Sequence, residues 1–447
     1  MRQLLREQPT LNGPVVNHPV ARELEVIDGV LRENPDIARL VLQDLQRSLL
    51  WLREGREGMP AELVLRAAIL KQRNMWTYDE LSFHLADSQT YRAFCGLGPF
   101  DENPSRSTLQ RNIKSITEDT WGRINRDLMH YARDLRVENG RKVRTDATPV
   151  ESNIHPPSDS SLLWDVVRVL TRLMLRAHED FGIRRFPDRT RRAKRRAIEV
   201  QTAKPNQKRK RVKAYRDLLN VTRETMGYAR DAMALLETCG DIMAPVLAAE
   251  IAHYLELAER VVDQTERRVL HGEEVPAEEK IFSIFEEHTD IIVKDRRDIY
   301  YGHKLTVTGG RSGLILDWVI EDGNPADSTL AVRMIERHKE IYGRVPRQAA
   351  FDGGFASKEN LREIKELGVD DVSFSKKRGL DVLDMVKSHW VYRKLRNFRA
   401  GIESWISFLK RCFGLERANW RGPEGFARYV GASIVAANLV TLARHLT

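Results

Sequence analysis

Two short β-like runs, each ending in an aspartate, constrain this chain more than any other feature. Val143-Arg144-Thr145-Asp146-Ala147-Thr148-Pro149 interrupts a long helical stretch, and Val143 and Val150 flank Thr and Pro positions that suit a strand running into a loop. Ala349-Ala350-Phe351-Asp352-Gly353-Gly354-Phe355 is a second such run, closed by two glycines that permit close approach of backbone or ligand, or a tight strand-to-helix turn. A chain that returns to β structure so far downstream must bridge the gap with an insertion.

The rest of the pattern fills in around these runs. Residues 20–140 read as helical. Leu63, Val64, Ala67, Ala68 and Leu70 recur near a 3.6-residue period, and further helical stretches cover 78–85 and 91–96. Gly96-Leu97-Gly98-Pro99 breaks the run, and Ser105 and Ser107 offer N-caps for a helix over 108–116 bearing Gln110, Arg111, Asn112 and Lys114. That order fits a helix-turn-helix touching DNA through Arg111 and Lys114; a plain helical bundle with a solvated polar face fits it too. Residues 162–177 carry Leu163, Val166, Val167, Leu170, Leu173 and Met174 on one helical face, and 215–270 reads as long helices with Tyr228, Met233, Leu236, Val246, Ile251 and Leu255 among the apolar positions. A hairpin then joins 300–307 to 314–320 through Gly309-Gly310-Arg311-Ser312-Gly313. A turn at 322–327, a helix over 330–341, a strand over 347–351, a helix over 358–367, a strand over 369–374 and a helix from about 400 complete the order.

Removing the insertion leaves a mixed α/β sheet of about five strands. The expected organisation is an all-α N-terminal domain (1–140), an α/β core (141–160 and 281–423), a basic α-helical insertion (161–280) and a C-terminal packing helix (424–447).

Charge narrows the partners. The 447 residues carry a net charge of +9 and a pI of about 9.4. Between Arg184 and Arg216, fifteen Lys or Arg stand against Asp188 and Glu199 alone, so this stretch exceeds the charge of the whole chain and the remainder is slightly acidic. A solvated helix face normally mixes signs at i and i+4. The run is expected either to hold DNA phosphates, through Arg191, Arg192, Lys194, Arg195, Arg196, Lys208, Arg209, Lys210 and Arg211, or to act as a flexible basic linker; phosphate contact would supply affinity and salt dependence rather than sequence choice. Cys95, Cys239 and Cys412 form no CxxC pair, so neither a zinc site nor a disulfide framework is indicated, and a reducing cytoplasm is expected. Residues 1–19 lack an apolar core of signal-peptide length. Residues 429–443 are too short to span a bilayer and contain Asn438; they read as a buried helix whose Gly431, Ala432, Ser433, Ala436 and Ala437 allow close packing. No membrane partner is expected.

A lone Asp at a strand end is usually a cap. If the first and fourth strands lie side by side, however, Asp146 and Asp352 face each other at matching ends. Glu403, the only Glu between Glu366 and Glu416, opens the late helix with Arg399 at i−4 and Lys410 at i+7 on broadly the same side. The two cations are either a surface ion pair or phosphate contacts. Three gathered carboxylates can hold two Mg²⁺ ions, with Mn²⁺ as substitute, and such a site cuts and joins phosphodiesters.

In these motifs the chain resembles bacterial insertion-sequence transposases of the DDE class. The stretch from Thr145 to His155 is similar to their first-Asp motif and Phe351 to Ala356 to their second; Arg399, Glu403 and Lys410 fit a Tyr-x2-Arg-x3-Glu-x6-Lys signature in which Arg396 replaces the Tyr. The spacing from Asp352 to Glu403 is long, which a loop over 379–390 would explain. The resemblance runs from about Pro60 to the C-terminus and is weakest over 180–280. It implies a ribonuclease-H-like core, catalytic and metal-binding roles for Asp146, Asp352 and Glu403, cleavage at terminal inverted repeats, strand transfer into target DNA, and a nucleoid-associated homodimer or larger synaptic oligomer. Alternatives are a catalytically silent DNA-binding descendant and another ribonuclease-H-like nuclease.

Overall fold

A computed structural model describes residues 16–47, 58–294 and 298–447. The leader reading therefore lies mostly outside the described residues, as does the 48–57 part of the helical N-terminal reading. The chain divides into two compact units, Met1–Glu151 with His303–Thr447, and Ser152–Gly302.

The first unit begins with helices α1 (Pro19–Glu33), α2 (Pro35–Arg47), α3 (Ala61–Arg73), α4 (Tyr78–Asp87), α5 (Gln89–Phe94), α6 (Arg106–Ile113) and α7 (Glu118–Asp134). Local chemistry explains their starts. Thr77 and Glu80 form a reciprocal capping box on α4, and Ser105 and Thr117 accept backbone N–H bonds at the heads of α6 and α7. Strand β1 (Lys142–Ser152) follows.

The second unit is built on four helices: α8 (Asp159–Phe181), α9 (Thr190–Thr202), α10 (Lys208–Thr238) and α11 (Ala244–Thr265). They enclose their own core, in which Leu163, Val166, Leu170, Leu218, Leu236, Ile251 and Leu255 are buried. Val246, by contrast, is exposed. Strand β2 (Asp290–Lys294), absent from the sequence reading, pairs antiparallel with residues 298–302 of β3 (Asp298–Gly309).

From His303 the chain belongs to the first unit again. β3 turns into β4 (Ile315–Ile320), antiparallel to it. Then come α12 (Ala331–Tyr342), β5 (Gln348–Phe351), α13 (Lys358–Glu366), β6 (Asp371–Phe374), the short α14 (Val382–Met385), α15 (His389–Phe413), a two-residue strand β7 (Arg417–Ala418) paired with β1, and α16 (Pro423–Leu446). β3 lies beside β1, and β5 and β6 run parallel to β1. Thr145 and Thr308 share a hydroxyl hydrogen bond of 3.0 Å between β1 and β3.

One boundary differs from expectation. Helix α15 starts at His389, where the Ser388 hydroxyl accepts from the Val391 amide, and buried Val391, Tyr392 and Leu395 extend its apolar side. Glu403 thus sits in mid-helix instead of opening it. Helix α16 takes in the whole apolar stretch 429–443 and, at its full length, is long and apolar enough to cross a membrane, but 89% of its most apolar window is buried within the fold. Its polar residues find partners there: Asn438 accepts from the Ile315 amide at 2.8 Å and donates to Asn125 at 2.7 Å, and Gln72 donates to Ser433 at 2.9 Å. A Cβ on Gly431 would come within 2.6 Å of the Trp121 side chain, so glycine sets how closely the helix approaches.

Candidate active site

Parallel pairing of β1 and β5 brings Thr145 opposite Phe351. The residue after each is an aspartate, so the register delivers Asp146 and Asp352 side by side, Asp352 just past the carboxyl end of β5 and Asp146 midway along β1, which runs on to Ser152 where the sequence suggested a strand end. Asp352 keeps an extended backbone and heads a single 3-10 turn, Gly353–Phe355. Both glycines of that turn are needed: a Cβ on Gly353 would lie 2.7 Å from the Lys376 side chain, and one on Gly354 would lie 2.5 Å from an Asp327 carboxylate oxygen. Both alternatives raised by the sequence hold, a tight turn and a close approach.

Helix α15 supplies the remaining members. It is fixed to the sheet by the Tyr392 hydroxyl, which donates to the Phe374 carbonyl at 3.0 Å, and by Arg144 of β1, which donates to the Phe398 carbonyl at 2.8 Å. Gly401 leaves the space that the Arg144 guanidinium fills. Arg399 and Glu403 lie one turn apart on this helix.

The three carboxylates meet on one guanidinium. Arg399 Nη2 stands 3.1 Å from Asp146 Oδ2 and 3.3 Å from Asp352 Oδ1, while its Nη1 is 2.8 Å from Glu403 Oε1. The side chain of Arg399 is only 13% exposed, which rules out the plain surface ion pair that its i, i+4 spacing to Glu403 alone would suggest. The set is graded toward solvent: Asp146 is 14% exposed, Asp352 38% and Glu403 67%. Lys410 behaves differently, with Nζ 3.9 Å from Glu416 beyond the turn that carries Glu403.

Two neighbours went unread in the sequence. The Ser375 hydroxyl donates to Asp352 Oδ1 at 2.6 Å, and Lys376 packs against Gly353. Burial pushes the Asp352 carboxyl up, but the Ser375 and Gly353 hydrogen bonds, with Arg399 and Lys376, outweigh it and hold the group below the ordinary carboxylate value. The only sequence hint was position, since both residues directly follow the strand beside β5.

All the donors at this point are carboxylate oxygens, a set suited to a hard divalent cation. With Arg399 lying among them, no three His, Cys, Asp or Glu side chains among the described residues are gathered to hold a metal ion.

The other expected contact residues fall elsewhere. Arg111 is exposed on α6 and Lys114 half-buried at its end, while Asn112 turns inward and donates to the Thr108 carbonyl at 2.7 Å. In the second unit the basic run forms α9 and the start of α10. Its self-repulsion is partly relieved by acids just outside the run, which corrects the sequence reading: Arg192 and Arg196 both pair with Asp217, Arg184 with Asp231 and Arg189 with Glu224. Arg191, Lys194, Arg195, Lys208, Arg209, Lys210 and Arg211 remain exposed.

Family comparison gives this geometry its context. A model described as "Transposase DDE domain" matches residues 261–439, and one described as "Transposase domain (DUF772)" matches residues 16–115. The chain belongs to the insertion-sequence DDE transposases. The transposase DDE match takes in Asp352, Arg399 and Glu403; Asp146 lies between the two matched segments, so its place beside them is a finding of the fold. No curated protein and no solved structure matches the chain.

Proposed function

We propose that this transposase cuts DNA at the terminal inverted repeats of its element and joins the freed ends to target DNA, using Asp146, Asp352 and Glu403 in a ribonuclease-H-like core. The observation that carries this reading is the meeting of three sequence-distant carboxylates on Arg399. One positive group serving three negative ones leaves a local excess of negative charge that a divalent cation can take up. The parallel β1–β5–β6 edge with β3 and β4 on its other side supports the core assignment.

The same three carboxylates would hold two Mg²⁺, with Mn²⁺ as substitute, and the ions would supply Lewis-acid polarisation of the phosphodiester and a lowered pKa for an attacking hydroxyl. The chain's own residues do the rest. Ser375 keeps Asp352 oriented and ionised. Arg399 swings off the carboxylates toward a phosphate, exchanging three carboxylate partners for one. Lys376 stands beside Asp352 to bind a non-bridging phosphate oxygen. No side chain bonds to phosphorus, because a water and then the 3′-OH of the cut strand are the nucleophiles. Arg111, Lys114 and the exposed part of the basic run hold duplex DNA through its backbone. Two ends must be brought together, which favours a homodimer or larger assembly, and the working place is the nucleoid in the cytoplasm.

The test is cleavage of the element's own terminal DNA by purified protein. Mg²⁺ should be required, EDTA should stop the reaction, and Asp352→Asn should abolish cutting while leaving DNA binding intact. Cleavage that persists in EDTA, or in the Asp352→Asn protein, would overturn the assignment.

A further inference from the structure

The strands that deliver the aspartates carry a second feature at their opposite ends. A cleft of about 520 Å³ is lined by Arg141 and Lys142 at the start of β1, Arg311 from the β3–β4 turn, Arg347 just before β5, and Lys387 and Lys394 around the start of α15. No acidic side chain lines it. Among the described residues only Arg347 of these six has a carboxylate ion partner, Asp370 at the exposed rim. Asp371 lies beneath the cleft, but its oxygens accept from the Gln348 side chain and the Lys387 amide. Burial, then Arg311, Lys394 and Arg144, weaken the hold of Lys142 on its proton, as expected of crowded like charges.

An aromatic platform completes the cleft. Trp390 is 62% exposed, and Lys394 Nζ lies 3.9 Å from its ring centroid. Cations crowded without counter-charge beside an exposed indole match what a nucleic acid strand offers, phosphates and a base with a free face.

The cleft and the carboxylate site are built on the same two elements, β1 and α15. Lys142 stands over the Phe398 ring at 4.4 Å and Arg144 over it at 4.7 Å, and Arg399 is the next residue of the helix. From Lys142 to Asp146 along the strand, and from Lys394 to Glu403 along the helix, the path is in each case about 13 Å. That is roughly four nucleotides of a B-form strand.

We infer that this cleft holds the DNA strand as it leaves the carboxylates, with phosphates against Lys142, Arg311 and Lys394 and an unpaired base stacked on Trp390. The inference rests on the DNA-cutting role proposed above and adds where the strand runs and that it is locally unpaired there.

Binding in EDTA separates the two claims. The probes are a fluorescent 20-base-pair duplex and the same duplex with a four-nucleotide single-stranded 3′ extension. Lys142→Ala/Arg311→Ala/Lys394→Ala should bind the extended probe at least tenfold more weakly and lower the slope of log affinity against log salt by about 2. Trp390→Ala should lose the preference for the extended probe, and Trp390→Phe should keep it. Thermal melting checks the fold, and Arg141→Gln/Arg311→Gln, both exposed, replaces the triple variant if that one does not fold. If the wild type cuts DNA and these variants bind both probes like wild type, the cleft assignment is wrong and the catalytic reading stands. Loss of binding equal for both probes in Trp390→Ala would also overturn the stacking. A wild type that binds neither probe would remove both readings.

Discussion

Arg399 reaches Asp146 at 3.1 Å although 253 residues separate them in sequence. The contact closes the carboxylate set, and it makes Arg399 a competitor for any cation that the set would bind. Replacing it with Ala leaves three carboxylates without their shared partner, and the metal-free protein should lose about 2 kcal/mol of stability. Mg²⁺ should then raise the melting temperature of Arg399→Ala more than that of wild type, because binding no longer displaces a guanidinium. A variant whose melting temperature ignores Mg²⁺ would remove these carboxylates from metal binding.

Much of this site was legible because the sequence carries its two determinants locally. The β-like runs at Asp146 and Asp352 predict the two strands, although only Asp352 stands at a strand end while Asp146 lies midway along β1, and the helical period around Arg399 predicts a shared face with Glu403. The pairing of β1 with β5 required only that the intervening helices form a separate unit. Ser375 and Lys376 were not legible, since their role depends on β6 lying next to β5, a long-range register that no local pattern encodes. Strand β2 and the two-residue β7 were missed because short edge strands have little periodicity to read. The counter-charges of the basic run, Asp217, Glu224 and Asp231, sit outside the window that made the run conspicuous.

Ser375 sets the pH response of Asp352. The folded-state value is held below the ordinary one, so the stabilisation is present above the ordinary carboxylate range and is lost as pH falls through the depressed value. In Ser375→Ala the largest lowering interaction disappears, and the carboxyl should begin to protonate at higher pH. The acid limb of Mg²⁺-dependent cleavage should move to higher pH, with little change at pH 8. An unmoved acid limb would show that Ser375 does not act through Asp352.

The basic run should divide into two functional groups. Arg191, Lys194 and Arg195 are exposed, and changing all three to Gln should lower the salt slope of DNA binding by about 0.9 for each phosphate no longer neutralised, with unchanged melting. Arg192 and Arg196 are held by Asp217, so changing both to Gln should lower the melting temperature and leave more of the slope in place. Equal slopes in both variants would contradict the division.

His338 predicts an acid-sensitive core. It is buried on α12 and stacked on Tyr342 with ring centroids 4.4 Å apart, and burial pushes it down to about 4. In the unfolded chain it titrates near 6.5, so below that value the unfolded state takes up the proton first. Stability is whole above pH 6.5 and falls as pH drops toward 4, by about 3 kcal/mol in all. His338→Phe should flatten that part of the stability profile relative to wild type in denaturant titrations at pH 4.5 and 7. Parallel profiles for the two proteins would mean that His338 takes up its proton at the same pH in the fold as in the unfolded chain.

The approach of α16 to α7 depends on one missing side chain. A Cβ on Gly431 would lie 2.6 Å from the Trp121 Cβ, and Trp121 is fully buried with no room to retreat. Gly431→Val should therefore cost about 1–3 kcal/mol through overpacking, despite its greater hydrophobicity. Because α16 also satisfies the Ile315 amide through Asn438, a displaced helix would free that strand end as well, and amide exchange at Ile315 should quicken with the same variant. If Gly431→Val melts like wild type and Ile315 stays protected, α16 has slack that this packing does not show.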